Sequence, residues 1–353
     1  MDLSDLSRFL PPLERELRRS YLRGVLHAPS GIGPYLEANE EFTLRGGKRL
    51  RALLVLAGYY LATGRNPRPA LSAAAAMEHF QSWMLIHDDI IDHAEERRGG
   101  PTLHRSMAQA HRRERKEGSS EDYGVGIGIT LGDIEEPFTV EAILSAPAAP
   151  PARLAALTEY VRMTRSTAYG QLLDIRSGVL DPGMVRERDV LAVHKFKSAI
   201  YTVASPLKIG ALLGGSRPER LRDLETFGTH IGIAFQLRDD VLGAGFDAEE
   251  IGKSANDLVE GKRTLLVVKA WEKGSETDRG RLARVLGNSQ ATPEDVDRAR
   301  TVIRETGSLD YSEQKIERLT GLALKCVDRS RSIPSRGKPL LREVAERLVR
   351  RKS

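Results

Sequence analysis

Apolar residues recur at three- and four-residue intervals through most of the chain, whereas alternating runs rich in Val, Ile and Thr are scarce. That periodicity predicts an all-α protein. The strongest helical stretches are residues 49–63, 71–91, 153–178, 185–213, 218–242 and 264–273. Breakers fall between them: Gly64 with Pro67, Gly99-Gly100-Pro101, residues 146–151, Asp181-Pro182-Gly183, and Gly214-Gly215 ahead of Pro218. Residues 93–124 and 243–262 are long, charged and glycine-bearing, and read as functional connections. No Gly/Ser or Pro tract separates independent halves, so the pattern predicts one domain over residues 1–353. The alternative is two helical domains divided near Pro150.

Composition narrows the function classes. Fifty-four Lys and Arg against 49 Asp and Glu leave a formal charge of +5. This describes a solvated surface of both signs, with no concentrated basic footprint for nucleic acid. The basic run HRRERK at 111–116 reads as a solvated loop. The single cysteine, Cys326, excludes an intrachain disulfide framework and multi-cysteine metal centres, and fits a reducing, cytoplasmic compartment. The N-terminal MDLSDLSRFLPPLERELRRS lacks the basic start and apolar stretch of an export signal. The longest apolar stretch, 52–62, is short of the ~20 residues that span a bilayer.

Candidate chemistry lies in two segments, IHDDIIDHAEERRGGPT and LRDDVLGAGFDAEEIGKSANDLVEGKRT. Each carries an Asp-Asp pair at the end of an apolar helix, followed by basic residues. Asp88 and Asp92, four apart, project side by side and repel by a few tenths of a kcal/mol, roughly, unless a cation lies between them. Carboxylate donors without nitrogen or sulfur suit magnesium, which keeps water and shares positions with substrate phosphate. Asp239 and Asp240 offer a second cluster. Gly46-Gly47-Lys48-Arg49-Leu50-Arg51 opens an apolar helix, where close backbone approach and the helix N-terminus favour an anion. It lacks Walker spacing. With Arg97, Arg98, Lys253 and Lys262, these cations point to two diphosphate sites, one bridged by metal and one held by side chains.

These residues resemble the trans-polyprenyl diphosphate synthases, a family that includes farnesyl and geranylgeranyl diphosphate synthases. The matching stretches are GGKRLR at 46–51, DDIID with RRGGPT at 88–102, GQLLDI at 170–175, KFKSAIYT at 195–202, and FQLRDD with GKSANDLVEGKRT at 235–264. They cover about residues 43–270. The resemblance implies a homodimeric isoprenoid-synthase-type helical bundle around a deep apolar cavity. It assigns Asp88, Asp92 and Asp239 to magnesium, with three ions expected. Arg97, Lys197, Lys253 and Lys262 are assigned to an allylic diphosphate, and Lys48, Arg51, Gln81 and Arg98 to isopentenyl diphosphate. Ser198 and Gln236 correspond to polar residues near the allylic cation. The implied reaction ionises the allylic carbon–oxygen bond, adds the isopentenyl double bond to the cation, and loses a proton to pyrophosphate.

Two departures from the family pattern stand out. Gly243 occupies the place of a frequent third aspartate, a change expected to matter little, and Ser198 replaces Thr but keeps the hydroxyl. Product length is expected to depend on Phe80, Trp83 and Met84 upstream of Asp88. Only Trp83, five positions upstream, is aromatic where farnesyl-forming relatives carry two aromatics, which favours a twenty-carbon product over fifteen. Two other classes fit the residues less well. An HD-type metal phosphohydrolase, suggested by His87-Asp88 with His79, lacks the several histidines such a site needs. A non-catalytic regulatory subunit would have lost DDIID, which is intact.

Overall fold

The computed structural model describes residues 1–115, 117–246 and 256–350. It is almost wholly helical, as the periodicity predicts; among the described residues the strands are Glu96–Arg97 and Gly100–Pro101. Among the described residues no helix is long and apolar enough to cross a membrane. The chain forms two compact units, Met1–Glu159 with Pro206–Ser216, and Tyr160–Ser205 with Arg217–Ser353. The chain passes between them three times: within the helix Pro150–Gly178, at Ser205–Pro206, and at Ser216–Arg217.

In the first unit the helix Leu71–Ile91 packs against Ser120–Leu144, Leu50–Thr63 and Leu10–His27. It is buried on nearly every side because its first half, Leu71 to Met77, presents only small or apolar side chains. The connection expected at 93–124 contains a further helix, Leu103–Arg113, and the start of Ser120–Leu144. Leu103, His104, Met107, Ala108 and His111, at three- and four-residue spacing, are the buried face of that helix, and the charged and polar residues among them mask the pattern.

In the second unit the helix Pro218–Gly243 packs against residues 194–204 and against Ser308–Arg329. The continuous helix expected over 185–213 is three segments. Glu187–Val193 is followed by an eleven-residue π-helix, His194–Ala204, and then by Ser205–Leu213. Gly232 permits the close crossing: a Cβ there would lie 2.5 Å from the Ala199 Cα. Val190, Leu237, Val241, Leu266, Val302 and Ile316 are central to this unit's core.

Candidate active site

The helix Leu71–Ile91 carries Asp88 in its last turn and is capped by Asp92, whose N–H donates to the Asp88 carbonyl at 2.8 Å. Asp88 is half-buried and Asp92 exposed. Asp89 turns inward and is fully buried; its Oδ1 accepts from Arg97 Nε at 2.6 Å. Burial pushes the Asp89 carboxyl up, against the opposing pull of Arg97. Arg97, expected on the allylic diphosphate, is therefore held in place by the one acid of the cluster that the metal assignment leaves over.

Glu96–Arg97 pairs antiparallel with Gly100–Pro101 across a two-residue turn, Arg98-Gly99, in which both residues have positive φ, 53° and 74°. Such a turn ordinarily takes Asn or Gly at its first position, so Arg98 sits there at a conformational cost. Its Nη1 donates to the carbonyls of Arg45 and Gly46 at 3.2 and 3.3 Å. Although exposed as a residue, Arg98 lays its guanidinium against this loop. Desolvation, then the nearby charges of Arg49, Arg97 and Arg51, lowers its pKa, while Glu78 opposes them. A Cβ on Gly47, φ 107°, would come within 3.3 Å of that guanidinium.

The structure thus brings Arg98 to the start of the GGKRLR segment. Lys48 is exposed and Arg51 is half-buried in the first turn of Leu50–Thr63. Gln81 is buried, and its Oε1 has no hydrogen-bond partner among the described residues. Arg49 belongs to the basic segment, but motif spacing alone does not single out its partner Glu78. Arg49 is buried with φ 47°, and its Nη1 lies 3.0 Å from Glu78 Oε2. The available signal was that Glu78 and Gln81 are three apart on one helix face.

In the second unit, Asp239 is half-buried near the end of Pro218–Gly243 and Asp240 is buried. Asp240 accepts from Gln236 Nε2 at 3.3 Å and pairs with His194 Nε2 at 3.0 Å. Lys197 and Ser198 lie on the π-helix, and Lys197 Nζ donates to Asp174 at 2.6 Å. Lys262 Nζ lies 2.7 Å from Asp257 Oδ1 and 2.9 Å from Glu260 Oε2. Burial first, and then Asp240, pushes Asp257 up to about 6 despite Lys262. Gly243 adjoins it closely: a Cβ there would sit 2.0 Å from Asp257 Oδ2. Lys253 lies outside the described residues.

The chain-length candidates share one face region of Leu71–Ile91. Phe80 is fully buried and meets Trp83 edge-on at 5.9 Å. Trp83 in turn meets His87 at 6.2 Å, and Met84 is half-buried. Trp83 is therefore clasped along its own helix, three residues from one neighbour and four from the other.

Among the described residues, no group of three or more His, Cys, Asp or Glu side chains is arranged to hold a metal ion. Each cluster instead offers oxygen donors from a helix end. This donor set fits a hard ion that completes its sphere with water and substrate oxygens.

Comparison with known proteins yields a consistent set. The family described as polyprenyl synthetase matches residues 34–303. A geranylgeranyl diphosphate synthase of Sulfolobus acidocaldarius is 31% identical over 327 residues, 92% of this chain and 93% of that protein. A geranylfarnesyl diphosphate synthase of Aeropyrum pernix is 30% identical over 323 residues, covering 87% of this chain and 91% of its own. The crystal structure of geranylgeranyl pyrophosphate synthase from Corynebacterium glutamicum, complexed with isoprenyl diphosphate and magnesium, superposes with a TM-score of 0.90. It is 32% identical and fully covered, as is this chain.

Proposed function

The chain belongs to the polyprenyl synthetase family and is a prenyltransferase, a trans-polyprenyl diphosphate synthase, and we propose that it condenses isopentenyl diphosphate head-to-tail with an allylic diphosphate to make geranylgeranyl diphosphate. The observation that carries this reading is the Arg98 guanidinium seated on the Arg45–Gly46 carbonyls beside Arg49 and Arg51. It gathers cations around a single carboxylate, Glu78, which Arg49 already pairs, as a second, metal-free substrate site needs. Lys48, Arg51, Gln81 and Arg98 hold isopentenyl diphosphate there.

Asp88, Asp92 and Asp239 hold magnesium, with three ions in the working enzyme, and Arg97, Lys197, Lys253 and Lys262 grip the allylic diphosphate. Magnesium, when bound, screens the diphosphate charge and eases departure of pyrophosphate. Asp89 fixes the Arg97 guanidinium, and Asp174 and Asp257 fix the ammonium groups of Lys197 and Lys262, so these cations are oriented before substrate arrives. Ser198 and Gln236 contribute uncharged polar atoms beside the developing cation. The departing pyrophosphate takes the proton, so no dedicated protein base is required.

Geranylgeranyl diphosphate is favoured over fifteen carbons by Met84 in place of an aromatic residue. The Corynebacterium and Sulfolobus relatives point the same way. Working as a homodimer is supported by Leu154, Val161, Leu172 and Ile175, exposed large apolar side chains that line one face of Pro150–Gly178. The reaction is tested by chromatographing the products of isopentenyl diphosphate with dimethylallyl, geranyl or farnesyl diphosphate, with magnesium and with excess chelator. A twenty-carbon product that disappears with chelator is expected; undiminished turnover in chelator would refute the metal assignment.

A further inference from the structure

A polar network lies sealed inside the first unit. Glu135, on Ser120–Leu144, is fully buried. One carboxylate oxygen accepts from the Tyr21 hydroxyl, and the other lies 2.6 Å from His79 Nδ1. The Tyr21 hydroxyl also lies 2.7 Å from Thr43 Oγ1, which in turn donates to Ser82 Oγ at 2.8 Å. Tyr21, Thr43 and His79 are fully buried, and Ser82 nearly so. Phe138 closes the set against water, with ring centroids 5.3 Å from Tyr21 and 5.4 Å from His79.

Burying a carboxylate is expensive, and replacing such a set with apolar side chains of similar volume is often neutral or stabilising. Stability alone therefore gives no reason for a glutamate at 135, where leucine would pack. What the network supplies is a fixed register between two elements. Thr43 is in the last turn of Gly33–Leu44, immediately ahead of the Arg45-Gly46-Gly47-Lys48 loop on which Arg98 rests. His79 and Ser82 lie either side of Gln81 on Leu71–Ile91, His79 directly after Glu78 of the Arg49–Glu78 pair and Ser82 one turn beyond it. One branch from Glu135 runs through Tyr21 and Thr43 to Ser82, the residue after Gln81, and the other ends on His79, two residues before Gln81.

We propose that Glu135, acting through Tyr21, Thr43, His79 and Ser82, is a positioning residue that sets the isopentenyl diphosphate site by locking the base of the 45–49 loop to the Gln81 turn. The inference rests on the assignment of Lys48, Arg51, Gln81 and Arg98 to that substrate. Glu135 touches no substrate; it holds the geometry in which the cations converge.

The test is steady-state kinetics of the full chain, both substrates varied, for Glu135→Leu, Glu135→Gln and Thr43→Val, each with a thermal melt. Glu135→Leu and Thr43→Val should raise the isopentenyl diphosphate KM roughly fivefold, the worth of about one hydrogen bond. The allylic KM should move less than twofold. Glu135→Gln keeps polar atoms at the same place and should recover most of the loss. Equal rises in both constants, or a lowered melting temperature with neither constant moved, would show the network to be packing alone. Should Glu135→Leu fail to fold, Thr43→Val, which removes only the outer hydroxyl, decides. Absence of condensation by the unmodified protein would instead strike the functional reading itself.

Discussion

Restoring the missing aspartate at position 243 should damage this protein rather than leave it indifferent. From sequence alone Gly243→Asp is expected to change little, since the position only lacks a carboxylate that relatives often carry. The structure reverses that expectation, because the space is taken. A Cβ at 243 would meet Asp257 Oδ2 at 2.0 Å and its Cγ at 2.6 Å. Asp257 must therefore move, and moving it breaks its 2.7 Å contact with Lys262. A charged hydrogen bond contributes about 1.5–3 kcal/mol, and with the Lys262 side chain 42% exposed the lower figure applies. Replacing a helical glycine by alanine returns up to about 1 kcal/mol, so Gly243→Ala should come out mildly destabilised. Gly243→Asp should be worse, since a second carboxylate is forced against one already pushed up to about 6. Thermal melts should fall by a few degrees for Ala and further for Asp, with roughly 2–4 °C expected per kcal/mol. The allylic KM should rise as Lys262 loses its anchor. The exchange Gly243→Asp with Asp257→Gly should recover part of both losses, because one carboxylate again occupies one space. Wild-type melting and kinetics in Gly243→Asp would refute the steric argument.

Lys48→Ala and Arg98→Ala should each raise the isopentenyl diphosphate KM roughly tenfold or more, given about 1.5–3 kcal/mol per charged hydrogen bond; a selective rise in the allylic constant would show the two diphosphate sites reversed. Trp83→Ala should lengthen the product by five-carbon units, read by chromatography, whereas an unchanged product with intact folding would leave Trp83 as a clasp for Phe80 and His87. Burial works against the Glu187 charge, but Lys315, Tyr311 and Lys269 outweigh it and hold the carboxyl at about 2. The stability it adds is full above about 4.5 and is lost as the pH falls toward 2, so acid melts of wild type and Glu187→Gln should converge over that window. A constant gap between the two would contradict it.

What could be read from the sequence follows from range. Leu71–Ile91 was legible to its ends because its burial is continuous and its acid motif marks the last turn. The π-helix was not, since 194–204 keeps a plausible apolar spacing and nothing local announces five-residue closure. Leu103–Arg113 was hidden because charged and polar residues stand among those of its buried face. The cations themselves were recognisable in their motifs, but their anchors came from elsewhere: Asp174 is 23 residues from Lys197, and Glu78 is 29 from Arg49. Glu135 carried no visible signal, because its partners belong to two other helices and no spacing rule links them. In the sequence Gly243 is only a missing carboxylate, whereas its meaning depends on a carboxylate fourteen positions away that only the fold brings near.

Arg49 and Arg98 both hold left-handed backbone, φ 47° and 53°, which glycine or asparagine would adopt at less cost. Arg49 is kept from such replacement by its buried pair with Glu78, which would be left uncompensated. Among the described residues Arg98 has no such anchor, and a laboratory selection that rewarded only survival of heating would drift toward glycine or asparagine there, gaining up to roughly 1 kcal/mol. If Arg98 holds isopentenyl diphosphate as proposed, the hardier variants would have discarded a substrate group, and a screen that scores heat resistance without product would favour inactive protein.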